Sequence, residues 1–148
     1  MNLSALKSPP FRSYVVSLHL ALNGFWAQRV IIGWLAWEMT GSAGFVGLVA
    51  FLNFFPTLFV SPLFGVFADR IDVRKGSILS YALAGILSAL FAGLCIFGSP
   101  TPVLLALFSF VTGVISSANH PMRMSLTPRL APAGDLPSVV AITSLNFN

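Results

Sequence analysis

An all-α membrane protein of four bilayer-crossing helices, followed by the opening of a fifth, is the fold class this sequence predicts. Three observations lead there. Hydrophobic residues make up 56% of the chain and charged residues 8%, where soluble domains carry roughly 25% charge to keep their surfaces solvated. Apolar runs of about 20 residues, the length that spans a bilayer, recur between short polar breaks. Five of the twelve charged residues crowd into one turn, Gly65-Val66-Phe67-Ala68-Asp69-Arg70-Ile71-Asp72-Val73-Arg74-Lys75, between two nearly charge-free stretches. Hydrocarbon does not tolerate such a cluster, so the turn belongs at a membrane face.

Residues 1–12 form a polar N-terminal stretch, and the first crossing covers 13–37. Basic residues before an apolar run also describe a signal peptide. This run continues to Trp37 without a small-residue cleavage site, so it is read as a retained helix. Glu38 and the turn Thr40-Gly41-Ser42 close it. The second crossing, 44–67, carries Pro56 and Pro62; the third, 74–97, ends before Gly98-Ser99-Pro100; the fourth covers 102–119. Residues 120–137 are expected to be a loop, with Pro121, Pro128, Pro132 and Pro137, and 138–148 to open a fifth helix. The last residues fall inside that helix, so a piece of a longer multi-pass protein is expected. A complete four-helix protein with an amphipathic tail is the competing expectation.

Charge asymmetry gives a direction. Lys7 and Arg12 precede the first crossing, Arg70, Arg74 and Lys75 follow the second, and Arg123 and Arg129 follow the fourth. The connections after the first and third crossings contain no Lys or Arg. The positive-inside rule therefore expects the N-terminus and the charged turn in the cytoplasm; the cell's inner (plasma) membrane is the expected location. Within the turn, Gly65 permits close helix approach. Asp72 is placed to cap the third helix, and Arg74 and Lys75 to anchor it among headgroups.

Several function classes are excluded or disfavoured. The net charge of +4 comes from scattered loop residues with no basic run, which is no nucleic-acid footprint. Cys95 is the single cysteine, so there is no internal disulfide and no cysteine-based metal cluster. No phosphate loop, catalytic triad or metal-ligand spacing is present, and no catalytic or metal residue is assigned. The lipid bilayer is the first expected partner.

Gly65, Asp69, Arg70 and Arg74 match the loop Gly-x-x-x-Asp-Arg-x-Gly-Arg-Arg/Lys between helices two and three of the major facilitator superfamily, which the chain resembles; Asp72 stands for the second Gly and Val73 for the next basic residue. The Asp-Arg-x-Asp form resembles the branch of the enterobactin exporter and the transmembrane secretion effectors. Trp34 to Ser42, ending Glu38-Met39-Thr40-Gly41-Ser42, then Pro121-Met122-Arg123, Leu126 to Pro132, Leu136-Pro137 and Ser144 to Asn148 fit the same branch in order. The resemblance implies a secondary transporter of twelve helices, two six-helix halves rocking about a central site. This chain would hold the first four to five helices and need the C-terminal half as a partner. It further implies that Gly65, Asp69, Arg70 and Arg74 form a conformational-switch loop, with Asp69 facing the far half. The cargo would be a small amphiphilic molecule, exported at the expense of an ion gradient, with protons the family's usual ion and no bound cofactor. No Asp or Glu lies at mid-depth in the four spans, so the residues themselves display no proton coupling.

Candidate cavity residues follow from position. Arg29 lies about 12 Å, at 1.5 Å per residue, from the Trp37 end of the first crossing. A charge at that depth must face water, a partner or a cavity. Either it attracts an anionic substrate group, or it pairs with the far half or snorkels; both readings stand. His19, Asn23, Trp26, Gly33 and Trp37 share a stripe beside it, and Ser109, Thr112, Gly113, Ser116, His120 and Arg123 share one on the fourth helix. The resemblance makes helices one and four cavity walls, so His19, Asn23, Trp26, Arg29, Thr112 and Ser116 are the substrate candidates. Helix packing explains Ser109, Gly113 and Ser117 better. Asn53, Thr57 and Ser61, beside Pro56 and Pro62, fit packing with a gating kink as well as they fit substrate contact. The stripe Ser77, Tyr81, Ala84 and Ser88 reads as packing.

Two other classes compete. A four-helix multidrug pump acting as a dimer needs a carboxylate inside its first helix, whereas Glu38 sits at the end. A non-transport membrane protein, such as an integral enzyme, needs clustered His, Asp or Glu at one interface.

Overall fold

The computed structural model describes residues 8–68, 72–129 and Val139. Four helices follow one another: α1 Pro9–Thr40, α2 Ala43–Ala68, α3 Val73–Phe97 and α4 Pro102–Arg129. All four are long and apolar enough to cross a membrane, and the described residues contain no strand. The exterior is correspondingly apolar. Leu58, Leu90, Ile96 and many other large hydrophobic side chains stand exposed, a surface that suits lipid and not water.

Local chemistry sets the helix ends. Pro9 and Pro10 start α1 four residues before the expected boundary, because proline in a first turn lacks only an N–H that would have no helical acceptor. At the other end Gly41 takes the left-handed conformation, φ 58°, and its N–H bonds the Trp37 carbonyl at 2.7 Å. Glycine adopts that conformation without a Cβ clash. Asp72 caps α3 as its position suggests, accepting from the backbone N–H groups of Arg74 at 3.0 Å and Lys75 at 3.3 Å.

One boundary is corrected. Residues 120–129 are not loop: α4 continues to Arg129, ten residues past Asn119. Each proline removes one helical hydrogen bond, but packing outweighs the loss here. Met122 is buried in a cluster with Val73 and Ala118, and Leu126 and Phe64 pack against it. This cluster also accounts for Val73 in place of a basic residue, since its side chain is buried under α4. The remainder of the expected loop, 130–137, lies outside the described residues, as does the expected fifth helix save Val139, which is helical and buried.

The helices alternate in direction, and their core falls into two apolar clusters with a polar layer between. At the Gly41 end Ile32, Ala36, Val49, Leu105 and Phe108 are buried together, with Leu35, Met39, Phe45, Val46, Leu87 and Phe91 around them. Phe91 and Phe108 stack with centroids 4.1 Å apart. At the charged-turn end lies the Val73, Ala118 and Met122 cluster.

Candidate functional site

The polar layer is assembled by depth. Arg29 lies eleven residues before the end of α1, Asn53 ten after the start of α2, and Thr112 ten after the start of α4. With α2 and α4 running parallel, α1 antiparallel to both, and each rising 1.5 Å per residue, all three therefore fall about 15 Å from the same end, near the middle of a ~30 Å hydrocarbon layer.

Asn53 is the hub. Its Oδ1 accepts from Arg29 Nη2 at 3.2 Å and Nε at 3.3 Å. Its Nδ2 donates to the Thr112 hydroxyl at 3.1 Å and the Ser109 carbonyl at 3.2 Å. One side chain thus links α1, α2 and α4 and uses both ends of its amide. Thr112 is held in turn, its hydroxyl 2.8 Å from the Phe108 carbonyl and 3.0 Å from that of Ser109.

Gly113 makes this approach possible. A Cβ built there would collide with the carbonyl oxygen of Asn53 and stand only 3.0 Å from its carbonyl carbon. A glycine lets the α2 and α4 backbones touch at this level, and the amide reaches across because they do.

Aromatic rings hold the other side of Arg29. Its guanidinium carbon lies 3.6 Å from the centroid of Phe54, 4.8 Å from Phe25 and 5.5 Å from Trp26. Placing an ionised arginine at the centre of a span costs about 2.5–3.5 kcal/mol on insertion scales. Each good cation–π contact returns about 0.5–2 kcal/mol, depending on how far it is desolvated. Rings and amide together offset a large part of that cost without supplying a counter-charge.

The expected site residues separate into three groups. Arg29, Trp26 and Thr112 meet in the polar layer. His19 and Asn23 stand exposed on α1, where Asn23 Nδ2 donates to the His19 carbonyl at 2.8 Å, and Ser116 is half-buried on α4. Of the switch-loop residues, Arg74 is exposed in the first turn of α3 and Gly65 lies in α2, while Asp69 and Arg70 fall outside the described residues.

Two polar links are new. Gln28 Nε2 donates to the Ser88 hydroxyl at 3.1 Å, joining α1 to α3. The Ser80 hydroxyl contacts Asn119 Oδ1, joining α3 to α4. Neither Gln28 nor Asn119 stood out in the sequence, although an amide inside an apolar helix is itself a signal of a partner on another helix.

The sequence model of the family described as transmembrane secretion effector matches residues 1–148, the whole chain. The chain belongs to that family, within the major facilitator superfamily. It is a family of membrane transporters, and the chain is accordingly a multi-pass membrane protein. A curated relative, the staphyloferrin A transporter of Staphylococcus aureus, is 23% identical over 135 residues; the match covers 89% of this chain and 34% of that protein. The chain therefore spans about a third of the length of the relative it matches. No solved structure matches the chain significantly.

Proposed function

We infer that this chain contributes the opening helices of a secondary active transporter that exports small amphiphilic molecules by alternating access. The observation that carries the reading is the match of the whole chain to a transporter family, together with four helices able to span a membrane. The basic residues other than Arg29 cluster near the N-terminus, the charged turn and the end of α4, with none between α1 and α2 or between α3 and α4, which supports a plasma-membrane topology with the N-terminus and the charged turn in the cytoplasm. Helices α1 and α4 form part of the cavity wall, with His19, Asn23, Trp26, Arg29, Thr112 and Ser116 toward the solute. Gly65, Asp69, Arg70 and Arg74 act as the switch loop against the C-terminal half. An ion gradient, with protons the family's usual ion, drives the cycle, and the coupling group lies outside the four spans described above.

The relative's cargo, staphyloferrin A, is the first molecule to test. Inside-out vesicles carrying the full-length protein should accumulate a transported molecule when a proton gradient is imposed, and lose that accumulation when it is collapsed. Asp69→Asn should slow transport at least tenfold through the switch loop, and Arg29→Ala should reduce it through the cavity. Unchanged rates in both variants would reject these assignments.

A further inference from the structure

Arg29 is held firmly and meets no counter-charge among the described residues. A guanidinium offers five N–H donors. The bonds from Nε and Nη2 both end on Asn53 Oδ1, a neutral acceptor. The second N–H of Nη2 and both on Nη1 reach no acceptor among the described residues. The acidic residues that the structure describes are engaged elsewhere. Glu38 accepts from Trp34 Nε1 at 3.1 Å near the end of α1, and Asp72 caps α3.

The geometry around the charge is pre-set. Phe25, Trp26 and Phe54 lie against the guanidinium, and Asn53 fixes its edge. Asn53 is immobilised by Thr112 and Ser109 on a helix in backbone contact with its own. A planar fork with unused donors, fixed before any ligand arrives, matches the two oxygens of a carboxylate. Little side-chain ordering then remains to oppose binding.

We propose that Arg29, seated on Asn53 and three aromatic rings, is the docking point for the carboxylate of a small anionic solute. The inference rests on the transport reading for the way a solute reaches mid-depth, and it deepens that reading by giving the cargo a chemical class. The cargo carries at least one carboxylate, set against the fork, with its apolar parts against the exposed faces of Trp26 and Phe54. A cationic cargo meets a like charge at this point and is disfavoured.

Calorimetric titration of the full-length protein in a neutral detergent tests this. Succinate and tricarballylate are the probes, succinamide the uncharged match and phosphatidylglycerol the lipid competitor. Saturable binding of the carboxylates and none of succinamide is expected. Arg29→Gln should weaken carboxylate binding at least tenfold, and Arg29→Lys, which keeps charge but loses the fork, severalfold. Asn53→Asp is the decisive variant. It sets a built-in carboxylate beside the guanidinium, so it should also weaken carboxylate binding at least tenfold, with the melting temperature lowered by the loss of the Nδ2 bonds to Thr112 and the Ser109 carbonyl.

Absence of carboxylate binding to the wild type would overturn the proposal, as would Arg29→Gln and Asn53→Asp binding as the wild type does. Phosphatidylglycerol binding that requires Arg29, with the two carboxylates inert, would assign the charge to a lipid headgroup and also overturn it. Arg29-dependent carboxylate binding by a protein that transports nothing would sink the transport reading and leave this site standing. Transport indifferent to Arg29 would do the reverse.

Discussion

The α2–α4 contact and the attachment of α1 are built on different principles. At Gly113 the two backbones touch, and the amide of Asn53 crosses from one helix to the other with both of its acceptors on α4. Helix α1 joins this pair through the tip of one long side chain, Arg29, and through the apolar cluster of Ile32 and Ala36 at one end. A contact made by missing atoms tolerates no sliding, whereas α1 is tied to the pair by side chains alone. The difference marks α2–α4 as the backbone-to-backbone contact of the bundle and α1 as the helix attached through side chains.

The sharpest way to break this contrast is to thicken the α2–α4 contact. Gly113→Leu must push the backbones apart, and overpacking of this kind costs about 3 kcal/mol. Thermal unfolding in detergent should show it as a lowered midpoint. Gly85→Ala is the control, since nothing lies within 4 Å of a Cβ at that position; it should stay within about 0.5 kcal/mol of the wild type. Equal effects at both glycines would mean that α2 and α4 are not in backbone contact.

Next in size is Asn53→Leu, which strands the guanidinium donors and removes the amide donor to Thr112 and the Ser109 carbonyl, while the Thr112 hydroxyl keeps its own bonds to α4. Loss of one partner from a buried polar set costs about 1–3 kcal/mol. Cysteine crosslinks between α1 and α2 should form less selectively in this variant, while α2–α4 crosslinks keep their pattern. Loosening of both pairs alike would show that Asn53 is a general packing residue and not the tie to α1.

Much of this architecture is legible in the sequence because membrane constraints are severe. Composition and the spacing of the apolar runs give the helices, Gly41 ends the first one, and Asp72 starts the third. The end of α4 was not legible. Pro121 and Pro128 signal a break, yet burial of Met122 against Val73 and Ala118 keeps the chain helical, and that packing partner is some fifty residues away. The polar layer was half legible. Arg29 stands out as the one basic residue inside a span, and Thr112 lies on a recognisable stripe. Their common partner Asn53 emerges only when depth is counted from the shared end of antiparallel helices. Residue type alone leaves it open between packing and substrate contact.

A third test removes the cap of α3. Asp72→Ala should cost about 1 kcal/mol, because two N–H groups lose their acceptor at a face where water can partly replace it. Hydrogen exchange at Arg74 and Lys75 should rise while the polar layer around Asn53 keeps its protection. Spread of the effect to Arg29 would couple the charged turn to the solute site, and would make α1 less independent of the pair than its contacts indicate.

The smallest effect is expected where α1 meets α3. Gln28→Leu deletes the bond to the Ser88 hydroxyl, and Ser88 still donates to the Ala84 carbonyl at 2.7 Å, so no buried donor is stranded. Interhelical hydrogen bonds between membrane helices average about 0.6 kcal/mol in double-mutant cycles, and that is the expected loss. A cycle of Gln28→Leu with Ser88→Ala should recover most of it as coupling. Coupling near zero would leave α1 tied through Arg29 and its end cluster alone, which sharpens the contrast with α2–α4. Coupling several times larger would make α3 a second support for α1, which would then be anchored on two sides.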